Sequence, residues 1–198
     1  MKVLFVCTAN LCRSPMAAAL FRRRLRAPES TTAPDGTLET VAIGSAGLLP
    51  SGVAPPREVV TVMAELGIDL AAHRSRQISA ELVAVADVVV CMGRRHAREV
   101  VLVDPAAWPR TFTLKELVRR GERVGPRRAG ELLPDWLGRL HAGRERAGLV
   151  GQSTDDDVED PLGGPLDAYR TTAGELAGLV DHVAGRLWAP RMARRRSG

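Results

Sequence analysis

The sequence predicts an α/β fold with a parallel sheet, and three observations carry that class. Short apolar or β-branched runs occur at residues 3–6, 41–43, 88–90 and 111–113. Helix-like stretches separate them, as crossover connections between parallel strands require. A long amphipathic repeat then closes the chain, with apolar side chains spaced by three or four.

Taken in order, the first run (Val3, Leu4, Phe5, Val6) leads into Cys7-Thr8-Ala9-Asn10-Leu11-Cys12-Arg13-Ser14 and then Pro15. Proline suits the first helical position, and Met16, Ala19, Leu20 and Leu25 supply a buried face for the first helix. Pro28 and Pro34, among Ser, Thr, Gly and Asp, mark a loop before the second run. Residues 56–66 form a second amphipathic helix, ended by Gly67 at a C-cap position. Ser79 caps a third, short helix ahead of the strand that begins near Asp87. The stretch 114–153 is charged and Gly-rich, with Trp136, Leu137 and Leu140 as its compact apolar group. It reads as a solvated excursion carrying two short helices rather than as a lid. After Pro165, the apolar positions Leu166, Tyr169, Ala173, Leu176, Val180, Val183 and Leu187 define the packed C-terminal helix.

A chain of 198 residues most simply makes one domain with a substantial core. The expected organisation is a single domain over 1–190 with insertions near 27–39 and 115–153, followed by a basic, disordered tail at 191–198. No apolar run is long enough to span a membrane, and Met1-Lys2 leads straight into a strand, so neither a span nor a signal peptide is indicated. Three cysteines without a disulfide-framework spacing fit a reducing compartment, and the expected location is cytoplasmic. The formal net charge of +5 does not indicate a nucleic-acid partner: Arg191, Arg194, Arg195 and Arg196 lie in the tail, and without them the balance is +1. No stacking aromatics interleave with those charges.

The loop from Cys7 to Ser14 is where the chemistry concentrates. A loop between a strand and a helix N-terminus directs several backbone N–H groups at one spot, where the helix adds roughly half a positive charge. The same field favours a thiolate. Arg13, six positions after Cys7, returns to the rim as a planar fork for two oxygens of a tetrahedral anion. Thr8, Ala9, Asn10, Leu11, Cys12, Arg13 and Ser14 are thus the candidate phosphate cradle around a Cys7 nucleophile.

The spacing resembles the Cys-x5-Arg-Ser signature of the low-molecular-weight protein tyrosine phosphatases of bacterial type. Ser45-Ala46-Gly47 after the second strand, His73-Arg74-Ser75-Arg76-Gln77-Ile78, and Cys91-Met92 ending the third strand resemble the same family. So does Asp160-Pro161, just before the last helix, which matches the family's acid loop in context and position. The resemblance implies a three-layer sandwich: a four-stranded parallel sheet of order 2-1-3-4 with helices on both faces. It implies that Asn10, Ser14, Ser45 and His73 form a hydrogen-bond network that holds the loop and stabilises the thiolate. It further implies that Cys7 attacks phosphorus, that Asp160 protonates the leaving oxygen and then activates water, and that neither metal nor cofactor takes part. Cys12 is the expected redox-protective partner of Cys7. The implied partner is a phosphotyrosine-containing protein, with a bacterial tyrosine kinase of polysaccharide export as one context and inorganic phosphate as the product.

The sequence departs from that pattern at Ala9, which replaces a usual glycine, at Gly93, where many relatives carry Asp after Met, and at Leu162-Gly163, where tyrosine-selective relatives often supply aromatic walls. Leu48 and Leu49 are the expected lining. Three other readings share the cradle. Phosphoarginine phosphatases tend to carry a small polar residue where this chain has Leu11, which favours an ester with an apolar or aromatic group. A thioredoxin-coupled arsenate reductase needs further thiols in relay, and Cys91 has none following it. A phosphate-binding module without turnover needs neither the Cys7 thiol nor the Asp160 acid.

Overall fold

The computed structural model describes residues 1–25 and 40–188. The expected loop at 27–39 and tail at 191–198 lie outside the described residues. Within them, strands β1 (Lys2–Cys7), β2 (Ala42–Gly47), β3 (Val88–Cys91) and β4 (Thr111–Thr113) form one sheet. All three pairings are parallel, in the order β2-β1-β3-β4. The order 2-1-3-4 stands as expected.

The strands alternate between two cores, as the two-residue period dictates. Val3, Phe5, Cys7, Val88 and Val90 face one cluster; Leu4, Val6, Val89 and Cys91 face the other. The first cluster is covered by helices α1 (Arg13–Leu25), α2 (Arg57–Glu65), α5 (Leu114–Val124), α6 (Leu133–His141) and α7 (Leu166–Leu187), and the second by α3 (Ala80–Ala84) and α4 (Arg94–Val103). β2 runs on to Gly47 because it pairs with β1 residue for residue, from Lys2↔Ala42 to Cys7↔Gly47, although its glycines would not suggest a strand. Gly67, at φ 71°, follows α2 where a left-handed cap is needed. Ser79 accepts from the Leu82 N–H and caps α3.

Two expectations are corrected. Pro15 is the third residue of α1, which starts at Arg13; a missing N–H costs nothing there, because the first four N–H groups of a helix have no partner within it. The 114–153 stretch is not a solvated excursion. Leu114, Leu117, Leu133, Trp136, Leu137 and Leu140 are buried in the first core. Several of its charges are paired: Arg144 reaches both Glu116 oxygens at 2.7 and 2.9 Å, and its guanidinium packs over the Trp108 and Phe112 rings, 3.9 and 4.2 Å from their centroids. Among the described residues, no helix is long and apolar enough to cross a membrane.

Candidate active site

The residues expected to carry chemistry meet at the C-terminal edge of the sheet, where α1 leaves β1 to one side and β3 lies to the other, the switch point at which open parallel sheets bind ligands. The loop between Cys7 and Arg13 is held by its carbonyls. Thr8 O accepts from the N–H groups of Leu48 and Leu49 at 2.6 and 3.1 Å, Asn10 O accepts from His73 Nε2 at 2.8 Å, and Cys12 O accepts from the Met16 N–H at 3.1 Å. With these three carbonyls tied away, the N–H groups of Ala9 to Cys12 donate to no acceptor among the described residues. That is the construction of an anion cradle.

Asn10 carries the strain of this shape at φ 55°, a left-handed conformation that asparagine tolerates better than most residues. Ala9 has no positive φ, so its replacement of glycine leaves the loop intact. The Asn10 side chain bridges inward: Oδ1 accepts from the Arg76 N–H at 2.9 Å and Nδ2 donates to Ser14 Oγ at 2.9 Å. Ser14 Oγ stands 3.0 Å from Cys7 Sγ and 3.2 Å from Ala46 O. Its one proton therefore has two acceptors: the carbonyl when Cys7 is a thiol, the sulfur when Cys7 is a thiolate. Asn10, Ser14 and His73 are brought together as expected, but Ser45 is not. Its hydroxyl bonds to none of those three, and the carbonyl of the next residue, Ala46, takes the Ser14 contact instead. Gly47 is fixed by this close approach: a Cβ there would lie 2.6 Å from Asn10 N and 2.8 Å from Thr8 O.

Arg13 and Asp160 form an ion pair through Nη2. The guanidinium also donates from Nη1 to Val158 O at 3.0 Å and from Nη2 to Thr8 Oγ1 at 3.3 Å, while Nε is buried with no hydrogen-bond partner. A guanidinium held along its outer edge, with a donor unspent, is prepared for an oxyanion. The Asp160 side chain is 39% exposed, open to exchange protons with water.

The acid loop is positioned by residues that no motif in the sequence marks. The Val158 N–H donates to Met92 O at 2.9 Å, extending from the end of β3. Asp157 accepts from the Arg94 N–H at 2.7 Å and so caps α4, and Asp156 is gripped by Arg94 and Arg119 at 2.6 and 2.7 Å. Burial works against the Asp156 carboxylate, but the hydrogen bonds from the two arginines outweigh it and hold its pKa below the usual range. Gly93 has its explanation here: a Cβ would lie 2.6 Å from Asp157 Oδ1, so the loop carboxylate occupies the space of a side chain at 93. After Pro161 the Gly163 N–H donates to the Tyr169 hydroxyl at 3.2 Å, which ties the loop to α7. The run of acids at 155–157 was visible in the sequence, but nothing marked which of them would face arginines.

The thiols separate by environment. Cys12 is buried, and burial first, then the negative charge of Asp160, pushes its pKa up to about 12. Burial also raises the pKa of Cys91, which pairs with Val6 and so faces the opposite side of the sheet from Cys7. Leu11 and Leu48 are half-buried against the first and second cores, and Leu49 and Leu162 are exposed beside the loops they flank. His96, on α4, places Nε2 2.9 Å from Thr8 Oγ1 and belongs to no motif that the sequence displayed.

The chain is similar to known phosphatases over most of its length. A family model described as low molecular weight phosphotyrosine protein phosphatase matches residues 2–124. The protein-arginine-phosphatase of Geobacillus stearothermophilus is 33% identical over 94% of this chain and 95% of its own. The probable low molecular weight protein-tyrosine-phosphatase EpsP of Ralstonia solanacearum is 36% identical over 58% of this chain and 71% of its own. Among solved structures, the G. stearothermophilus YwlE arginine phosphatase superposes with a TM-score of 0.66 at 33% identity, covering 94% of this chain and 92% of that one. A low molecular weight protein tyrosine phosphatase from T. tengcongensis gives 0.68 at 33% identity, over 94% and 99% of the two chains.

Proposed function

Because this chain belongs to the low molecular weight phosphotyrosine protein phosphatase family, we propose that it hydrolyses phosphate monoesters of proteins, phosphotyrosine first among them, through a cysteinyl-phosphate intermediate. The observation that carries the reading is the single guanidinium of Arg13, which joins Asp160 to the Cys7 loop and keeps a buried Nε for the ligand. Cys7 Sγ attacks phosphorus in line and forms the S–P bond while the bond to the leaving oxygen breaks. The cradle N–H groups and Arg13 bear the charge on the equatorial oxygens. Protonated Asp160 gives its proton to the leaving oxygen. As a carboxylate it then takes a proton from water, whose oxygen displaces Cys7 and releases inorganic phosphate. Leu11, Leu49 and Leu162, carried on or beside the two loops, support an aryl group on the ester.

A second substrate, protein phosphoarginine, is favoured by one finding: the arginine phosphatase of G. stearothermophilus matches 94% of the chain, whereas the EpsP match covers 58%. Hydrolysis of p-nitrophenyl phosphate by the wild type and Cys7→Ser, with chelator and reductant, tests the chemistry. Turnover that survives chelator and vanishes in Cys7→Ser supports it, and a folded wild type without turnover overturns it. A phosphotyrosine peptide and a phosphoarginine peptide, compared by kcat/KM, decide between the two substrates. We assign Cys12 the role of trapping an oxidised Cys7: sulfenic acid at Cys7 and the Cys12 thiol condense to a disulfide with loss of water. Peroxide-treated Cys12→Ser is then expected to regain less activity on reduction than the wild type, and equal recovery would refute the role.

A further inference from the structure

Among the described residues, the mechanism leaves the buried imidazole of His96 unused. His96 is 5% exposed in the first turn of α4, and its ring points at the nucleophile loop, with Nε2 2.9 Å from Thr8 Oγ1. The other ring nitrogen, Nδ1, is buried with no hydrogen-bond partner. An imidazole with an unsatisfied buried nitrogen is unfavourable in a core position, where an apolar side chain of similar size would pack without that loss. Burial, then the positive charges of Arg13 and Arg95, push its pKa down to about 3, so the ring is neutral.

Its partner explains its presence. Thr8 Oγ1 also accepts from Arg13 Nη2 at 3.3 Å, so one hydroxyl stands between the imidazole and the guanidinium. Nη2 has two acceptors, Thr8 and Asp160. When Asp160 is protonated to serve as the acid, its ion pair with Nη2 is given up. The contacts that remain on Arg13 are then Val158 O on Nη1 and Thr8 Oγ1 on Nη2.

We propose that His96 is a positioning residue for phosphate recognition: it fixes the Thr8 hydroxyl, and Thr8 fixes the plane of the Arg13 guanidinium when Asp160 lets go. Either ring tautomer does this, since Nε2 donates to the Thr8 oxygen or accepts its proton at the same place. The inference rests on the reading of Arg13 as the phosphate clamp.

The test measures the dissociation constant of inorganic phosphate by calorimetry and its inhibition of p-nitrophenyl phosphate hydrolysis, for the wild type, His96→Leu, Thr8→Val, the double variant and Thr8→Ser. Each of the first two variants is expected to bind phosphate roughly tenfold more weakly, the worth of one hydrogen bond to a charged group. The double variant is expected to lose no more than either alone, because the two side chains act as one unit. Thr8→Ser, which keeps the hydroxyl, is expected to stay near the wild type. Wild-type phosphate affinity in folded His96→Leu, or losses that add in the double variant, overturns the inference. Should His96→Leu fail to fold, wild-type affinity in Thr8→Val overturns it equally. A wild type that neither binds phosphate nor turns over substrate overturns the clamp itself, a different failure from an active wild type that is indifferent to His96.

Discussion

The two loops that meet at Arg13 are held by different means. The nucleophile loop is fixed through its backbone and through buried neutral groups: Asn10 and Ser14 have no exposed surface and Cys7 is 2% exposed. The acid loop is fixed through carboxylates, Asp156 on two arginines and Asp157 on the start of α4, while the Asp160 side chain remains well exposed. The difference follows from their tasks. Donors that act on charge in a transition state must be in place before the substrate arrives. An acid that gives a proton and later takes one from water must remain in contact with solvent.

The comparison is broken most severely at Asp160. Asp160→Asn is expected to lower turnover of phenyl phosphate by roughly 10²- to 10⁴-fold, and of p-nitrophenyl phosphate by less, because nitrophenolate leaves with little help from an acid. Equal losses on both esters would show that Asp160 does not protonate the leaving group. The same substitution, glycine to alanine, then separates the loops. At Gly47 the new methyl meets backbone of the nucleophile loop at 2.6 Å. Overpacking of this kind costs roughly 1–3 kcal/mol, to be read as a lower midpoint in urea unfolding together with lost phosphate affinity. At Gly93 the methyl meets the end of the Asp157 side chain, which can turn aside. Stability is expected to change less than at Gly47, and the activity lost is expected to fall mainly on esters with poor leaving groups. A uniform loss on all esters would place Gly93 with the cradle instead of the acid.

An effect confined to acid pH sharpens the contrast between neutral and charged supports. Folded, His96 takes a proton only near pH 3, whereas in the unfolded chain it does so near 6.5. Between those values the unfolded state binds more protons, so the stability that neutral His96 permits is complete above pH 6.5 and falls as the pH drops toward 3. His96→Leu should remove that part of the slope, up to about 1.4 kcal/mol per pH unit. Urea unfolding of both proteins at pH 7 and pH 5 measures it, and parallel losses would mean the buried ring is not the titrating group.

Much of this arrangement was legible in the residues. Four short apolar or β-branched runs marked the strands, the second only the start of β2, and Cys7 through Ser14 displayed the cradle, because a nucleophile, a loop and a helix start lie within a few positions of one another. Supports that come from distant segments were not legible. Asp156 and Asp157 sit in a run of acids that is indistinguishable from a solvated turn until Arg94 and Arg119 are placed beside it. His96 lies 88 residues from Thr8 and only the pairing of β3 with β1 brings α4 to the loop. The stretch after β4 carries charge that usually signals solvent, whereas here the Arg144 side chain is buried by pairing with Glu116 and by packing over two aromatic rings. Ser45 was expected in the network, but the strand's carbonyl one residue further on does the work.

Helix α4 begins on a carboxylate supplied from 63 residues downstream. Its consequence is one of inheritance. A side chain can return to position 93 only if the Asp157 carboxylate turns away from the start of α4 or is lost, and a lineage that loses Asp157 must find another cap for the helix. The two sites should therefore drift as a pair, with the acid loop gaining its hold on α4 on the same branch of a family tree where position 93 became glycine.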